Sequence, residues 1–394
     1  MTGRTLTMLA VGDMFIRTEE AESQFALVAP VLRSADVVVG QGENPCTLRP
    51  VTTAAWSFAT EPTGIVQPAD PKNLKALHSA GFDVIHLAGN HIWDLGIPGI
   101  EDTIKELRDL GIAVVGAGMN IDEARKPAII KRNGTRFGFL SYNCAGPRET
   151  YANPDKPGCA YVHIITAYEL DQPNPGGNAH IYTIAEPRSL KAMVEDIENL
   201  RPLCDVLAVH FHKGLGYTPI KIAMYDQQVS YAAIDAGADL IVAEHAHILK
   251  GIEQYRGRTI FHGLCNFITG GRPATGDVGH MRAMWQLQER QRQLKELYGL
   301  DYDPEHPERD LLPEARQTII AKCTVDDGKI SRVSYLPCLI NDQGQPEILK
   351  KSDKRGQQVY DYMDNITRAA GLNARYEWEG DEVVIRADYG RFAS

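Results

Sequence analysis

The chain has 394 residues, of which 43% are hydrophobic and 23% are charged, and its formal net charge at pH 7 is -10. A chain of this length and composition can bury a large core, so general disorder is not expected. The acidic balance and the lack of a long Lys/Arg-rich block argue against nucleic acid as the main partner, because that binding depends on phosphate neutralisation.

The seven cysteines are scattered and show no C-x-x-C spacing, which favours a reduced, intracellular protein over a disulfide scaffold. The first residues run straight into an apolar segment without a signal-peptide pattern, and no stretch is long and apolar enough to span a bilayer. We therefore predict a cytoplasmic protein that has no membrane segment.

Short apolar runs alternate with amphipathic stretches from residue 6 to about residue 267, which predicts βα units in a layered α/β domain. Gly111 and Gly237 follow two of the predicted helices and suit their C-terminal caps. Helices are predicted over residues 21–32, 71–80, 99–110, 189–199 and 226–236, and strands over residues 112–115, 137–141 and 239–243.

Two segments interrupt this alternation. Residues 151–177 are rich in Pro, Gly and Asn, and we predict a long loop there, near the functional site. Residues 268–315 are predicted to be an insertion that carries a polar surface helix at about residues 281–297.

The C-terminal third contains further predicted elements. Residues 318–325 and 330–336 are predicted to form a β-hairpin around a Gly-containing loop. A helix over about residues 356–370 and a strand near residues 383–385 follow. We predict a main domain of residues 1–345 and a small C-terminal α/β appendage of residues 346–394.

Candidate metal ligands stand where the predicted strands end. In an open α/β sheet, ligands gather at the carboxyl ends of the strands, so parallel strands would bring these residues into one crevice. Buried imidazoles also need partners, which a metal would supply. The predicted ligands are Asp13, Glu43, Asn90, His210, His245 and His247.

This mixed set of carboxylate, amide and imidazole ligands suits Mn, Fe, Zn or Ni, and the lack of cysteine argues against a structural thiolate zinc site. We predict one or two divalent ions, with Mn, Zn and Fe as the leading candidates. Glu43 is the natural bridge between two ions.

Each residue alone also has an ordinary interpretation. Asp13 suits a turn or a helix cap, and Glu43 suits a cap or the surface. His86 lies inside an apolar strand and is interpreted as a core histidine whose bonds are satisfied, so it is left out. His212 stays open as a ligand, a group behind a ligand, or a general base, and is placed after His210.

The motif Gly89-Asn90-His91 combines a ligand with an acid or base. The Asn90 amide oxygen suits a metal, while the adjacent His91 imidazole would face the substrate and transfer a proton. Asp94 would orient His91 or cap the following helix. Arg17 and Lys213 are candidates to clamp an anionic group, although both types are more often solvated surface charges.

A series of short motifs follows the chain in order over about residues 6–267. The motifs are Val11-Gly12-Asp13, Gly42-Glu43-Asn44-Pro45, Gly89-Asn90-His91, Val115-Gly116-Ala117-Gly118, Val209-His210-Phe211, Ala236-Gly237-Ala238-Asp239, Glu244-His245-Ala246-His247 and Cys265-Asn266-Phe267. They resemble the motifs of the CapA family, which is named for poly-γ-glutamate capsule synthesis and belongs to the calcineurin-like metallophosphatase superfamily. The resemblance implies a layered, calcineurin-like α/β sandwich.

The resemblance also implies roles for individual residues. Asp13, Glu43 and His247 would contact one metal, and His91 would be the acid or base beside both metals. A second metal would be contacted by Glu43, Asn90, His210 and His245.

The chain departs from the family pattern at two places. Phe15 stands where the superfamily motif Asp-x-His has its histidine, so a single metal is as plausible as two. The segment His210-Phe211-His212 replaces a His-Trp-Gly pattern and adds an imidazole.

Three functions remain open. The leading one is a hydrolase in which metal-activated water attacks a phosphoester or an amide of a small or peptide-like anionic substrate, with His91, His212 and Asp94 as catalytic residues. The second is a metal-dependent epimerase, as in the family's lasso-peptide members, using acid and base histidines. The third is a non-catalytic component of poly-γ-glutamate metabolism. A homo-oligomer is left open.

Overall fold

The computed structural model describes residues 5–16, 19–51, 69–170, 179–269 and 313–388. Their strands form two large sheets that share one buried apolar layer. The strands are β1 (Leu6–Met14), β2 (Val37–Gly42), β3 (Val84–His86), β4 (Ala113–Val115), β5 (Ala117–Gly118), β6 (Ala128–Arg132), β7 (Thr135–Asn143), β8 (Gly158–Cys159), β9 (Ile164–Leu170), β10 (Ala179–Ala185), β11 (Val206–Lys213), β12 (Leu240–His245), β13 (Ile252–Tyr255), β14 (Arg258–Phe261), β15 (Asn266–Ile268), β16 (Gln317–Asp326), β17 (Lys329–Ile340), β18 (Pro346–Ile348), β19 (Ala374–Glu379) and β20 (Glu382–Ala387).

The first sheet has ten strands in the order β19-β20-β17-β16-β1-β2-β3-β4, with β15 beside β1 and β18 beside β17. Strands β1 to β4 and β15 run parallel to their neighbours, and β16 pairs with β1 antiparallel. The second sheet has the order β13-β14-β12-β11-β7-β6, with β7, β11, β12 and β14 parallel. Two small sheets join β9 to β10 and β5 to β8.

The helices lie on the outer faces of the two sheets, except the last, which packs against the apolar layer between them. They are α1 (Ala21–Gln24), α2 (Ala29–Leu32), α3 (Lys75–Ala80), α4 (Gly96–Asp109), α5 (Ile121–Ala124), α6 (Pro187–Leu200), α7 (Met224–Asp235) and α8 (Lys354–Ala369), with 3-10 turns at Pro71–Leu74, Arg148–Thr150, Arg201–Leu203 and Pro313–Arg316.

Alternation along the strands builds three apolar layers, because successive side chains point to opposite faces. Met8 and Val242 belong to the layer between the sheets, together with Met363 of α8. The opposite face of the first sheet packs against helices α1 to α4. The opposite face of the second sheet packs against α6 and α7. The predicted layered α/β sandwich is therefore confirmed.

Most predicted elements are present, with shifted bounds. The prediction of one helix over residues 21–32 is wrong, since α1 and α2 are separate short helices. Pro30 lies in the first turn of α2 and has no N–H to continue an α-helix through this segment. Gly111 and Gly237 have φ angles of 78° and 120° after α4 and α7, as expected for left-handed caps.

The long loop predicted over residues 151–177 is partly wrong. Residues 164–170 form β9, which pairs antiparallel with β10 from Ile164 opposite Ala185 onward. The Pro and Gly residues around this strand favoured a loop prediction. The strand also lacks an apolar face that packs on the core, since Ile165 and Tyr168 are exposed. Residues 171–177 lie outside the described residues, as does the helix predicted at 281–297.

The predicted hairpin near residues 318–336 is confirmed as β16 and β17, and it extends the first sheet beyond β1. The C-terminal strands β19 and β20 continue the same sheet through the pairing of β20 with β17. The sheet thus crosses the predicted boundary between residues 345 and 346, and the division into two domains stays a prediction.

All seven cysteines are buried and unbridged. Among the described segments, no helix has the length and apolar character needed to cross a membrane. The cytoplasmic location stays a prediction.

Candidate metal centre

The site lies where parallel strands of both sheets end, as the sheet rule predicts. Asp13 stands near the end of β1, at a register shift that begins at Val11. Its amide donates to the Cys265 carbonyl over 3.0 Å. Gly12 makes this approach possible, because a Cβ there would lie 1.9 Å from the same carbonyl oxygen. The small residue before Asp13 therefore places its carboxylate against the segment that leads into β15.

Asp13, Glu43 and His247 form the first half of the site. His247 Nδ1 lies 3.3 Å from Asp13 Oδ2, and His247 Nε2 lies 4.0 Å from Glu43 Oε1. Asn266 Oδ1 is 2.9 Å from His247 Nδ1 and orients the ring. The structure thus brings together the three residues that the resemblance assigned to one metal.

Asn90, His212 and His245 form the second half. His212 Nε2 lies 2.6 Å from Asn90 Oδ1 and 3.1 Å from His245 Nδ1. Its Nδ1 is 3.7 Å from Glu43 Oε2, so Glu43 stands between the two halves. His212 Nε2 carries at most one proton. It therefore cannot form a hydrogen bond to Asn90 Oδ1 and satisfy the His245 Nδ1 atom at the same time.

Several buried polar atoms of the site have no hydrogen-bond partner within the described ranges: Asp13 Oδ1, both carboxylate oxygens of Glu43, and His212 Nδ1. One ligand atom from each of these residues lies within 4.8 Å of the others. Two buried carboxylates side by side repel each other unless a cation or a proton lies between them. The donor set of oxygen and nitrogen atoms therefore fits divalent metal ions.

The backbone is strained where the two histidines of the last motif enter the site. His245 has φ of 95° and His247 has φ of 53°, a region that side chains other than Gly rarely adopt. The His245 amide also donates to Asp13 Oδ2 over 3.1 Å. Such strain clusters at functional sites. Here the His247 ring lies beside Asp13 and Glu43, and the His245 ring lies beside His212.

The electrostatics favour neutral imidazoles beside acidic groups. Burial, followed by the neighbouring Asp13 carboxylate, raises the pKa of Glu43 well above its usual value. Burial and the nearby His247 lower the pKa of His245 to about 4, and burial with His245 lowers the pKa of His212 well below 6.5. Metal ligands must be deprotonated, so these imidazoles are ready to coordinate.

His91 and Asp94 stand at the mouth of the site. His91 Nδ1 lies 2.5 Å from Asp94 Oδ2, and its Nε2 lies 3.8 Å from Glu43 Oε1. The His91 side chain is 19% exposed, whereas Glu43 is buried. The Phe15 ring packs near both His91 and His247, with centroids 6.4 Å and 6.2 Å away. The aromatic ring thus occupies the entrance where the superfamily pattern has a histidine.

The structure does not bring His210 together with the other predicted ligands, and its role as a ligand stays a prediction. His210 Nδ1 lies 3.7 Å from Glu244 Oε1, and its ring lies 4.4 Å from that of His86. Its contacts are therefore with His86 and Glu244, and His212 takes the place predicted for His210 beside Asn90. Both histidines share one face of β11, but His212 is two residues closer to the strand end, where the other ligands lie.

Three other predicted residues are a histidine and two basic side chains. His212 is fully buried among side chains of metal-ligand type, and its role as a general base stays a prediction. Lys213 is fully buried on the opposite face of β11, where its Nζ donates to the Asp226 carbonyl over 2.8 Å, so it cannot clamp an anion at this site. Arg17 lies outside the described residues.

Sequence reasoning missed Glu244 and His86. Strand alternation was the signal available for Glu244, because a carboxylate inside an apolar strand must lie on one of its two buried faces. The structure shows that this face is shared with His212, which pairs with Glu244 across β11 and β12. Asn266, which orients His247, belongs to a recognised motif but was given no role.

A cavity of about 340 Å³ opens beside His245. Arg148 and His163 stand on its wall, where Arg148 Nη2 and His163 Nε2 are 2.6 Å apart. Tyr151, Tyr225 and Leu215 line other parts of the wall. The cavity leads from the exposed Arg148 to the half-buried His245, so a small molecule inside it would contact that residue of the candidate metal centre.

The geometry thus defines a layered α/β protein with a candidate metal centre at the carboxyl ends of its strands. Residues 1–271 match the family model described as "Bacterial capsule synthesis protein PGA_cap". This match covers more than half of the chain, and the chain belongs to that family. The predicted resemblance to the CapA family is confirmed.

Two curated relatives come from Bacillus. The capsule biosynthesis protein CapA of Bacillus anthracis is 28% identical over 271 residues, which cover 67% of this chain and 59% of the relative. The PGA biosynthesis protein CapA of Bacillus subtilis is 27% identical over 249 residues, covering 63% of this chain and 57% of the relative. The matches thus span less than two thirds of these relatives' lengths.

Among solved structures, the calcineurin-like phosphoesterase YfkN from Bacillus subtilis aligns with 93% of this chain and 99% of its own, at 12% identity and a TM-score of 0.39.

Proposed function

We propose that this protein is a metal-dependent hydrolase that cleaves a phosphoester or amide bond in an anionic, peptide-like substrate. One observation carries the proposal. Side chains of metal-ligand type converge from both sheets, several with buried atoms that lack partners, and they meet a cavity that holds a basic residue.

The chain's own residues would divide between two adjacent ions. Asp13, Glu43 and His247 would hold one ion, and Glu43, Asn90, His212 and His245 would hold the other. Divalent ions there would supply Lewis-acid activation of the scissile group and of water. Asn266 keeps the His247 ring oriented, as partners behind metal ligands commonly do.

His91 is the residue best placed to move a proton. Its bond to Asp94 occupies Nδ1 and leaves Nε2 directed toward Glu43 and the entrance. Donation from Nδ1 to the Asp94 carboxylate keeps Nε2 as the acceptor, and protonation of Nε2 turns His91 into an acid for the leaving group. Asp94 is thus a positioning residue for His91.

The cavity supports an anionic substrate. Arg148 is exposed at its wall and brings a permanent positive charge to a chain with a net charge of -10. The Bacillus relatives are named for capsule and PGA biosynthesis. A γ-linked glutamate amide is therefore the first peptide-like substrate to test, beside phosphoesters.

The test is turnover by purified protein supplied separately with Mn²⁺, Zn²⁺ or Fe²⁺. Bis-p-nitrophenyl phosphate and γ-linked glutamate oligomers serve as the two substrate classes. We expect cleavage of one class, loss of that cleavage in EDTA, and a decrease of about 10² to 10⁴-fold in His91→Asn. Absence of cleavage for both classes, with metal bound, would refute the hydrolase.

The same assay separates the other two functions when run in deuterated water. Deuterium gained at a Cα with no other change in mass would identify an epimerase. Metal binding without any reaction would favour a non-catalytic component of poly-γ-glutamate metabolism.

A further inference from the structure

A second cluster of metal-ligand type lies deeper between the two sheets. His86 at the end of β3, His210 on β11 and Glu244 on β12 are all fully buried. His86 Nε2 lies 3.5 Å from Glu244 Oε1, and His210 Nδ1 lies 3.7 Å from the same oxygen. One ligand atom from each residue lies within 4.8 Å of the other two.

These side chains do not satisfy one another. Ser141 Oγ lies 3.5 Å from His86 Nδ1. Within the part of the chain that the structure describes, His86 Nε2, both ring nitrogens of His210 and both oxygens of Glu244 lack hydrogen-bond partners. A buried polar group left without a partner costs about 1–3 kcal/mol. Five such atoms on three neighbouring side chains point to a ligand that contacts at least one atom of each residue.

The spacing of the atoms matches a metal better than a hydrogen-bond network. Separations of 3.5 Å and 3.7 Å exceed ordinary N–H···O bonds. Ligand atoms that sit about 2.1 Å from a tetrahedral zinc are about 3.4 Å from one another. Two imidazoles and one carboxylate are also a common ligand set for Zn²⁺ and for other first-row divalent ions.

We propose that His86, His210 and Glu244 bind a divalent transition-metal ion, with zinc as the best fit, at a site separate from the candidate metal centre. The two sites share no side chain. Because the three side chains are fully enclosed, the ion would join the two sheets and position the nearby ligands without touching substrate.

The fold explains how this ion would affect the candidate metal centre. Glu244 directly precedes His245, and His210 precedes His212 by two residues on the same face of β11. Two residues of a strand span about 6.6 Å, so the buried ion would lie one layer below the outer ligands. Fixing the ends of β11 and β12 to β3 would hold His212 and His245 in place.

The test counts metal in protein reconstituted with Zn²⁺ and freed of excess by gel filtration. We expect Glu244→Gln, which keeps the side-chain shape, and His86→Leu each to bind one equivalent fewer than the unchanged protein. Glu43→Gln should instead lose metal only from the candidate metal centre. His262→Gln, which changes a buried histidine outside both sites, should keep the full count. An unchanged count in Glu244→Gln would overturn the proposal.

Crystals of the unchanged protein provide a second test that does not depend on a variant that folds. Anomalous difference maps across the zinc edge should show a peak about 2.0–2.2 Å from His86 Nε2, His210 Nδ1 and a Glu244 oxygen. No peak there in zinc-loaded crystals would overturn this proposal. A peak there with no ion near Asp13 and Glu43 would support it while refuting the proposed hydrolase.

Discussion

Replacing Gly12 by alanine tests how the strand ends are held together at the site. The added Cβ would lie 1.9 Å from the Cys265 carbonyl oxygen and 3.0 Å from its carbon, and backbone atoms cannot turn aside as a flexible side chain would. Overpacking of this kind costs about 1–3 kcal/mol. Separating the strands also weakens the bond from the Asp13 amide to that carbonyl, for about 0.5–1.5 kcal/mol. The two effects together predict a loss of about 1.5–4.5 kcal/mol in the free energy of unfolding.

The assay is urea unfolding of the metal-free protein, with Gly216→Ala as the matched control. Nothing lies within 4 Å of a Cβ built on Gly216, so the control should keep its stability or gain about 0.4–1 kcal/mol. The metal affinity of Gly12→Ala should also fall, because Asp13 moves with the displaced strand. Equal unfolding free energies for Gly12→Ala and the unchanged protein would refute this account of the close approach.

Three smaller tests each perturb one contact or one titrating group. Asp94→Asn should lower kcat about 10 to 100-fold with little change in KM, because His91 loses the carboxylate that orients it. Steady-state kinetics measures both constants, and an unchanged kcat would show that Asp94 has no part in the mechanism. Tyr142→Phe should cost about 1.5 kcal/mol in urea unfolding, because Tyr142 donates to the Asp196 carboxylate over 2.9 Å. Burial lowers the pKa of His262 in the folded protein. Below about pH 6.5 the unfolded chain therefore binds a proton at His262 more readily than the folded protein does, and the free energy of unfolding decreases as the pH falls. His262→Gln should therefore lose less unfolding free energy than the unchanged protein between about pH 7 and about pH 5, and equal losses would contradict the assigned pKa.

The sequence was informative about the fold because strands and helices here follow regular hydrophobic periods. The apolar runs before Asp13, Glu43 and His245 are strands of parallel sheets, and the sheet rule then places the residues that follow them together. That rule needs no knowledge of strand order. The order itself, in which β16 pairs with β1 across some 300 residues of chain, depends on long-range packing that periodicity does not reveal.

The different positions of His210 and His212 in the structure could not be predicted from the sequence. Both residues point to the same face of β11, so the period of two cannot distinguish them. The two residues differ only in their distance from the end of β11. His212 is closer to that end and meets Asn90, whereas His210 lies deeper and meets Glu244. His86 was interpreted as a satisfied core histidine for the same reason. Its Nε2 has no hydrogen-bond partner among the described residues, and this is visible only once the second sheet faces it.

Divalent metal binding by the proposed ligands is tested most directly by thermal unfolding of the metal-free protein as Mn²⁺, Zn²⁺ or Fe²⁺ is added. The proposed ligands are Asp13, Glu43, Asn90, His212, His245 and His247. An ion present at about 100 times its Kd should stabilise the fold by about 2.7 kcal/mol and raise the melting temperature. Glu43→Gln, which removes the charge shared by both halves of the site, should lose most of that rise. A melting temperature that none of the three ions changes, in protein that also carries no metal when purified without added salts, would contradict the claim.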